Sequence, residues 1–149
     1  MTGDPGLRRM LCDEPELEAL AAATARMLAS GDNVLLSGPL GAGKSVFARA
    51  LLRELGVEGG IPSPSFIVDA VYHAGGLEIH HVDLYRLSGD PGELEAWGIL
   101  DALDDRCLAV VEWAERLPAG IRGIAVGIAF TEDPSIRSVT VEDRRLARD

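Results

Sequence analysis

Gly38-Pro39-Leu40-Gly41-Ala42-Gly43-Lys44-Ser45 is the stretch on which the reading of this chain turns. It satisfies the phosphate-loop pattern G-x-x-x-x-G-K-[ST] at every fixed position. Glycines let the backbone curl until successive N–H groups point inward at phosphate oxygens, where side chains would obstruct them. The helix that should start there adds a partial positive charge. Lys44 supplies a compact full charge for β- and γ-phosphates, and Ser45 offers a hard oxygen of the kind Mg²⁺ takes. The stretch therefore predicts a site for a nucleoside triphosphate.

Its surroundings agree. Asn33-Val34-Leu35-Leu36-Ser37 is a strand-length apolar run just before the loop, and Val46 to Leu55 continues it with apolar residues at helical spacing. Gly56 stands where a helix C-terminal glycine belongs. Thirteen of the 14 basic residues are Arg, and Lys44 is the single lysine. A chain that uses Arg everywhere else keeps Lys where a planar guanidinium would not fit a tight nest.

The chain has 149 residues and 47% hydrophobic composition, which predicts one domain over residues 1–149. A net charge of −10 argues against a protein that holds nucleic acid directly, although Arg137, Arg144, Arg145 and Arg148 could form a local basic patch. Cys12 and Cys107 lie far apart and read as packed or free thiols in a reducing compartment. No run of about 18 apolar residues exists, and the N-terminus lacks a basic start, so a cytoplasmic protein without membrane attachment is expected.

Leu7 to Leu11 reads as a short edge strand. Asp13 with Glu16 forms a capping-box pattern, after which Leu17, Leu20, Ala21, Thr24 and Leu28 trace a helical face as far as Gly31. Gly59 to Phe66 contains two prolines and must run extended; it is either a connecting loop or a switch-like segment that brings Ser65 toward the γ-phosphate or Mg²⁺. Ile67 to Tyr72 and Leu77 to Val82 predict a hairpin joined by His73-Ala74-Gly75-Gly76. His80 and His81 face opposite ways and cannot chelate one metal, whereas His81 shares a face with Asp83. His81 is read as structural.

Asp83 and Glu112 each follow an apolar run, and acids at the carboxyl ends of strands sit where α/β folds bind ligands. A metal bridging phosphates needs an acid there, and hydrolysis needs a group that orients or deprotonates water. Short helices are expected at Glu93–Trp97 and Ile99–Leu103, split by Gly98. Two further strands are expected at Gly123–Phe130 and Ser135–Val141. Four or five strands with helices predict a three-layer α/β/α P-loop NTPase with a mixed, mainly parallel central sheet and a β-hairpin.

In this order the pieces resemble one family. Gly38 to Ser45, Ser63-Pro64-Ser65-Phe66, His81-Val82-Asp83-Leu84-Tyr85-Arg86-Leu87, Glu93-Leu94 with Gly98, and Val111-Glu112-Trp113 are similar to the TsaE family, older name YjeE. The similarity runs from about residue 30 to residue 117. It implies the bacterial ATPase component of the machinery that makes threonylcarbamoyladenosine in tRNA, partnering TsaD-like and TsaB-like subunits and meeting tRNA only through the complex. It implies ATP on Gly38, Leu40, Gly41, Ala42, Gly43, Lys44, Ser45 and Val46, with Ser65 sensing nucleotide state. Ser45, Glu112 and Asp83 would hold Mg²⁺, and Lys44, Asp83 and Glu112 would act in hydrolysis. Tyr85 and Trp113 belong to the pattern, and Arg86 would either stabilise phosphate charge or form a salt bridge. Pro39 replaces the family's usual acid, and Ser45 and Ser65 replace threonines. The alternatives are a small-molecule kinase using the same loop, or a nucleotide-binding scaffold without significant hydrolysis. A familiar GTPase is excluded, because its Asn-Lys-x-Asp motif needs a second lysine.

Overall fold

The structure is a computed structural model, and it describes residues 7–59, 61, 68–88, 90–103 and 106–145. Its elements run β1 (Leu7–Cys12), α1 (Glu14–Ala25), β2 (Asn33–Ser37), α2 (Lys44–Glu54), β3 (Asp69–Ala74) and β4 (Leu77–Asp83). They continue with α3 (Pro91–Ala96), α4 (Ile99–Ala102), β5 (Leu108–Glu112), a 3-10 turn (Ala114–Arg116), β6 (Ile124–Phe130) and β7 (Arg137–Asp143).

Among the described residues seven strands, rather than four or five, form one mixed sheet in the order β1-β7-β6-β2-β5-β4-β3. Its centre, β6-β2-β5-β4, is parallel, and antiparallel pairings flank it on both sides. The apolar runs explain which strands take the middle. Val34 to Leu36 and Leu108 to Val111 are buried on both faces, as continuous apolar strands must be when helices cover both sides. One face packs Val34, Leu36, Leu108 and Val110 against α1 and α2, with Phe47, Leu51 and Leu52 fully buried. The other packs Leu35, Ala109 and Val111 against Leu94, Ile99 and Ala102 of α3 and α4. Three layers result.

The expected capping box of α1 is formed: Glu16 N–H donates to Asp13, and Asp13 N–H to Glu16. The helix stops at Ala25, short of Gly31, because Met27 and Leu28 N–H bond three residues back and tighten the last turn. Helix α2 ends as expected at Gly56, whose φ of 103° permits Val57 N–H to reach the Leu52 carbonyl at 3.0 Å. The hairpin turn is Gly75-Gly76 alone, with φ 58° and 79°, the signature of a tight two-residue turn. His73 and Ala74, expected in the turn, belong to β3 and pair with Glu78 and Leu77.

The anticipated basic patch does not stand free. Arg144 pairs with Glu142, Arg145 pairs with Asp143 and Asp32, and Arg137 is turned onto backbone carbonyls. Arg148 lies outside the described residues, as do Ser63 to Phe66 and Ile67. Among the described residues, no helix is long and apolar enough to cross a membrane.

Candidate functional site

The loop joins the end of β2 to the start of α2. Gly38 has φ 142°, and a Cβ built there would stand 2.1 Å from the Ile128 carbonyl oxygen. Gly43, with φ 124°, would place a Cβ 3.0 Å from Leu17. Positive φ favours glycine at both positions, and at Gly38 the Ile128 backbone leaves no room for a side chain. Leu40 is exposed at the loop's tip, while Ala42 is buried. The Lys44 ammonium donates to the carbonyls of Gly38 (2.5 Å) and Pro39 (2.9 Å) and sits 4.0 Å from the centre of the Trp113 ring. Only 4% of Lys44 is exposed, and this desolvation lowers its pKa. The charges of Glu115, Glu112 and Asp83 oppose the lowering and hold the cation in place.

The acids come together through sheet register. Asp83 and Glu112 are direct partners at the ends of parallel β4 and β5, and Leu36 of β2 stands opposite Glu112. Ser45 Oγ donates to Glu112 Oε1 at 2.9 Å across the gap between helix and sheet. The other oxygen, Oε2, lies 2.6 Å from His81 Nε2. His81 and Glu112 are both buried, and His81 Nδ1 has no hydrogen-bond partner among the described residues. Burial raises the pKa of Asp83, and the charge of Glu112 adds to the rise, while the Tyr85 N–H donated to Asp83 Oδ1 at 2.8 Å counters it. Ser45, Glu112 and Asp83 together make a set of hard oxygen donors beside a phosphate-type loop, which fits Mg²⁺ and not a softer metal.

Behind the acids the chain doubles back. Trp113, immediately after Glu112, has φ 61° and is the only non-glycine residue with positive φ among the described residues. That conformation costs roughly 1–2 kcal/mol, and a cation over an indole returns about 0.5–2 kcal/mol. Both Lys44 and the Arg116 guanidinium, 5.1 Å from the ring centre, face this ring. Tyr85 packs against it at 5.1 Å between ring centres. Arg116 also donates to the carbonyls of Leu84, Tyr85 and Leu87, fixing the segment that follows Asp83. Glu115 accepts the Gly38 N–H at 3.2 Å. The sequence reading missed Glu115 and Arg116 and took His81 as structural. For His81 the shared face with Asp83 was the available signal.

Two clefts meet at the loop. One, of about 280 Å³, is lined by Gly41, Lys44, Ser45, Asp83, Arg86 and Glu112 among others. The second, of about 400 Å³, lies between the loop, Asp13 and Leu17 of the α1 region, and Arg137. Gly41, Gly43 and Val46 border both. Arg137 Nε donates to the Ala42 carbonyl at 2.9 Å and so braces the loop. The structure brings together every predicted site residue except Ser65, which lies outside the described residues.

Comparison with known proteins accords with this geometry. The family model described as "Threonylcarbamoyl adenosine biosynthesis protein TsaE" matches residues 11–140. The tRNA threonylcarbamoyladenosine biosynthesis protein TsaE of Streptomyces coelicolor is 42% identical over 101 residues, covering 66% of this chain and 68% of that protein. The Haemophilus influenzae protein of the same name is 41% identical over 83 residues, 56% of this chain and 52% of its own length. The Bacillus subtilis one is 31% identical over 133 residues, 87% and 82% respectively. Among these relatives the matched stretch thus falls to about half of one protein's length. A crystal structure of Bacillus subtilis YdiB superposes with a TM-score of 0.72 at 26% identity, covering 96% of this chain and 89% of that one. With a family match over nearly the whole chain, and a loop, strand-end acids and sheet that fit it, the protein belongs to the TsaE family of tRNA threonylcarbamoyladenosine biosynthesis.

Proposed function

We propose that this protein binds ATP with Mg²⁺ and hydrolyses it slowly by itself, acting as the switch subunit that supports turnover of TsaD-like and TsaB-like partners. The observation that carries the reading is the chain of contacts Ser45–Glu112–His81, set beside Asp83 at the mouth of the phosphate loop.

The loop amides and Lys44 bind the polyphosphate in the first cleft. The second cleft, bordered by Gly41, Gly43, Leu17 and Arg137, would take the base and ribose. Ser45 and Glu112 would hold the metal, with Asp83 beside them. A Mg²⁺ held there would supply charge neutralisation for the phosphates. Glu112 is itself fixed by His81, so its Oε1 faces Ser45. Asp83, whose pKa burial has raised, is suited to orient the attacking water and take its proton. Lys44 meets the charge that develops on the transferred group, and the Trp113 ring keeps the ammonium aimed at the loop. The net charge of −10 suits a subunit that leaves tRNA to its partners.

Measuring ATP affinity and phosphate release for Lys44→Ala tests the reading. Loss of this cation should lower hydrolysis by about 10²–10³-fold, by analogy with removal of one charge-stabilising donor. Intact affinity and intact turnover would overturn the assignment. Phosphate release with and without the partner subunits separates a switch from a passive scaffold.

A further inference from the structure

At the opposite end of β4 and β5, on the face turned away from Ser45 and Glu112, a second cluster takes no part in the reaction described above. We infer that Glu78, His80 and Cys107 form a binding site for Zn²⁺.

Strand geometry puts them together. Glu78 and His80 are two apart on β4 and therefore share a face. Cys107 immediately precedes β5, whose Leu108 pairs with Ile79, so the thiol falls beside Glu78. One ligand atom from each residue lies within 4.8 Å of the others. Tetrahedral Zn²⁺ with bonds of about 2.0–2.3 Å needs its donors roughly 3.3–3.8 Å apart, so small side-chain rotations suffice. Thiolate, imidazole and carboxylate together form a donor set that zinc takes, whereas Mg²⁺ and Ca²⁺ demand oxygen.

The arrangement around His80 points the same way. Its Nδ1 lies 2.9 Å from Asp69 Oδ2, on β3, and its Nε2 lies 2.8 Å from Glu78 Oε2. A histidine that ligates zinc through one nitrogen characteristically donates the other N–H to a carboxylate, which fixes tautomer and ring orientation. Glu78 Oε2 also accepts from Cys107 Sγ at 3.0 Å. Without metal, one carboxylate oxygen stands within hydrogen-bond distance of both Nε2 and Sγ. A divalent cation at that point would displace the thiol proton and give all three donors one common partner. His73 Nε2, on the paired strand, lies 3.6 Å from Glu78 Oε1 and outside this group of three, so water would supply the fourth position. The metal would tie the edge hairpin β3–β4 to β5, the two strands whose far ends carry Asp83 and Glu112.

Cobalt titration of the untagged full chain tests this, because a thiolate-to-Co²⁺ charge-transfer band reports cysteine ligation, and the phosphate loop and its acids contain no thiol. The site predicts such a band at one equivalent, displaced by Zn²⁺, lost in Cys107→Ser and His80→Ala, and retained in Cys12→Ser. Asp69→Asn should weaken binding by about 10–100-fold. Glu78→Gln alters a side chain 44% exposed and should weaken binding at least about tenfold. Circular dichroism of each variant confirms that it is folded. No band in the wild-type chain, a band that survives Cys107→Ser, or unchanged affinity in folded Glu78→Gln would overturn the proposal.

Discussion

Adjacent strands β4 and β5 carry two histidine–carboxylate pairs that look alike in sequence and differ in nearly everything else. His81–Glu112 lies at the loop end, 2.6 Å apart, with side chains 1% and 3% exposed. His80–Glu78 lies at the other end, on the other face, 2.8 Å apart, with side chains 12% and 44% exposed. One residue's step along a strand separates the histidines, and the pleat sends them to opposite sides. The buried pair is shut away from water, so Glu112 keeps one orientation toward Ser45 and loses heavily if its partner is removed. The open pair is screened by solvent and by two further groups, Asp69 and Cys107, and its worth in stability is small. Burial, rather than residue type, decides which pair can position an acid for chemistry.

The comparison breaks most visibly in activity. Glu112→Gln should reduce ATP hydrolysis by about 10²–10³-fold, while Glu78→Gln leaves it unchanged; phosphate-release assays on the two proteins decide. Equal losses would mean that the two ends of the strands are not independent. Stability offers a smaller contrast. His81→Ala leaves Glu112 buried without one of its partners and should cost about 1–3 kcal/mol from that orphaned group alone. His80→Ala should cost no more than about 1 kcal/mol. Urea unfolding of both variants measures the gap, and similar costs would contradict the burial argument.

The smallest effect is in pH dependence. The Cys107 thiol and then His80 hold the Glu78 carboxyl down at about 2 from its usual 4.5. Desolvation pulls His80 down, but hydrogen bonds to Glu78 and Asp69 outweigh it and leave its pKa above the usual 6.5. The depressed acid contributes stability fully above 4.5 and loses it as pH falls toward 2. The raised histidine contributes fully below 6.5 and loses it as pH rises through its elevated value. The difference in melting temperature between wild type and His80→Ala should therefore be greatest between about pH 4.5 and 6.5 and shrink on either side. A flat difference across that range would show that the open pair carries no charge coupling.

Much of the phosphate site was legible in the chain. The loop was recognisable because glycine spacing, a preceding strand and a following helix are all local, and Asp83 and Glu112 because each closes an apolar run. The neighbours of those acids were not. Whether His81 meets Glu112, 31 positions away, depends on the β4–β5 register, which pairs His81 with Val110 and Asp83 with Glu112. Glu115 reaches Gly38, and Arg116 reaches the segment after Asp83, only because Trp113 turns the chain with positive φ. No spacing rule announces a left-handed tryptophan.

By itself the sequence determined the loop, the apolar strand before it, the capping box at Asp13 and the α2 terminus at Gly56, because each is written in residues close together along the chain. Only the tertiary structure decided that Ser45, Glu112, His81 and Asp83 form one connected site, and that Glu78, His80 and Cys107 gather behind it. Those contacts join strands and helices distant along the chain, and their geometry exists only once sheet register and helix packing have been set.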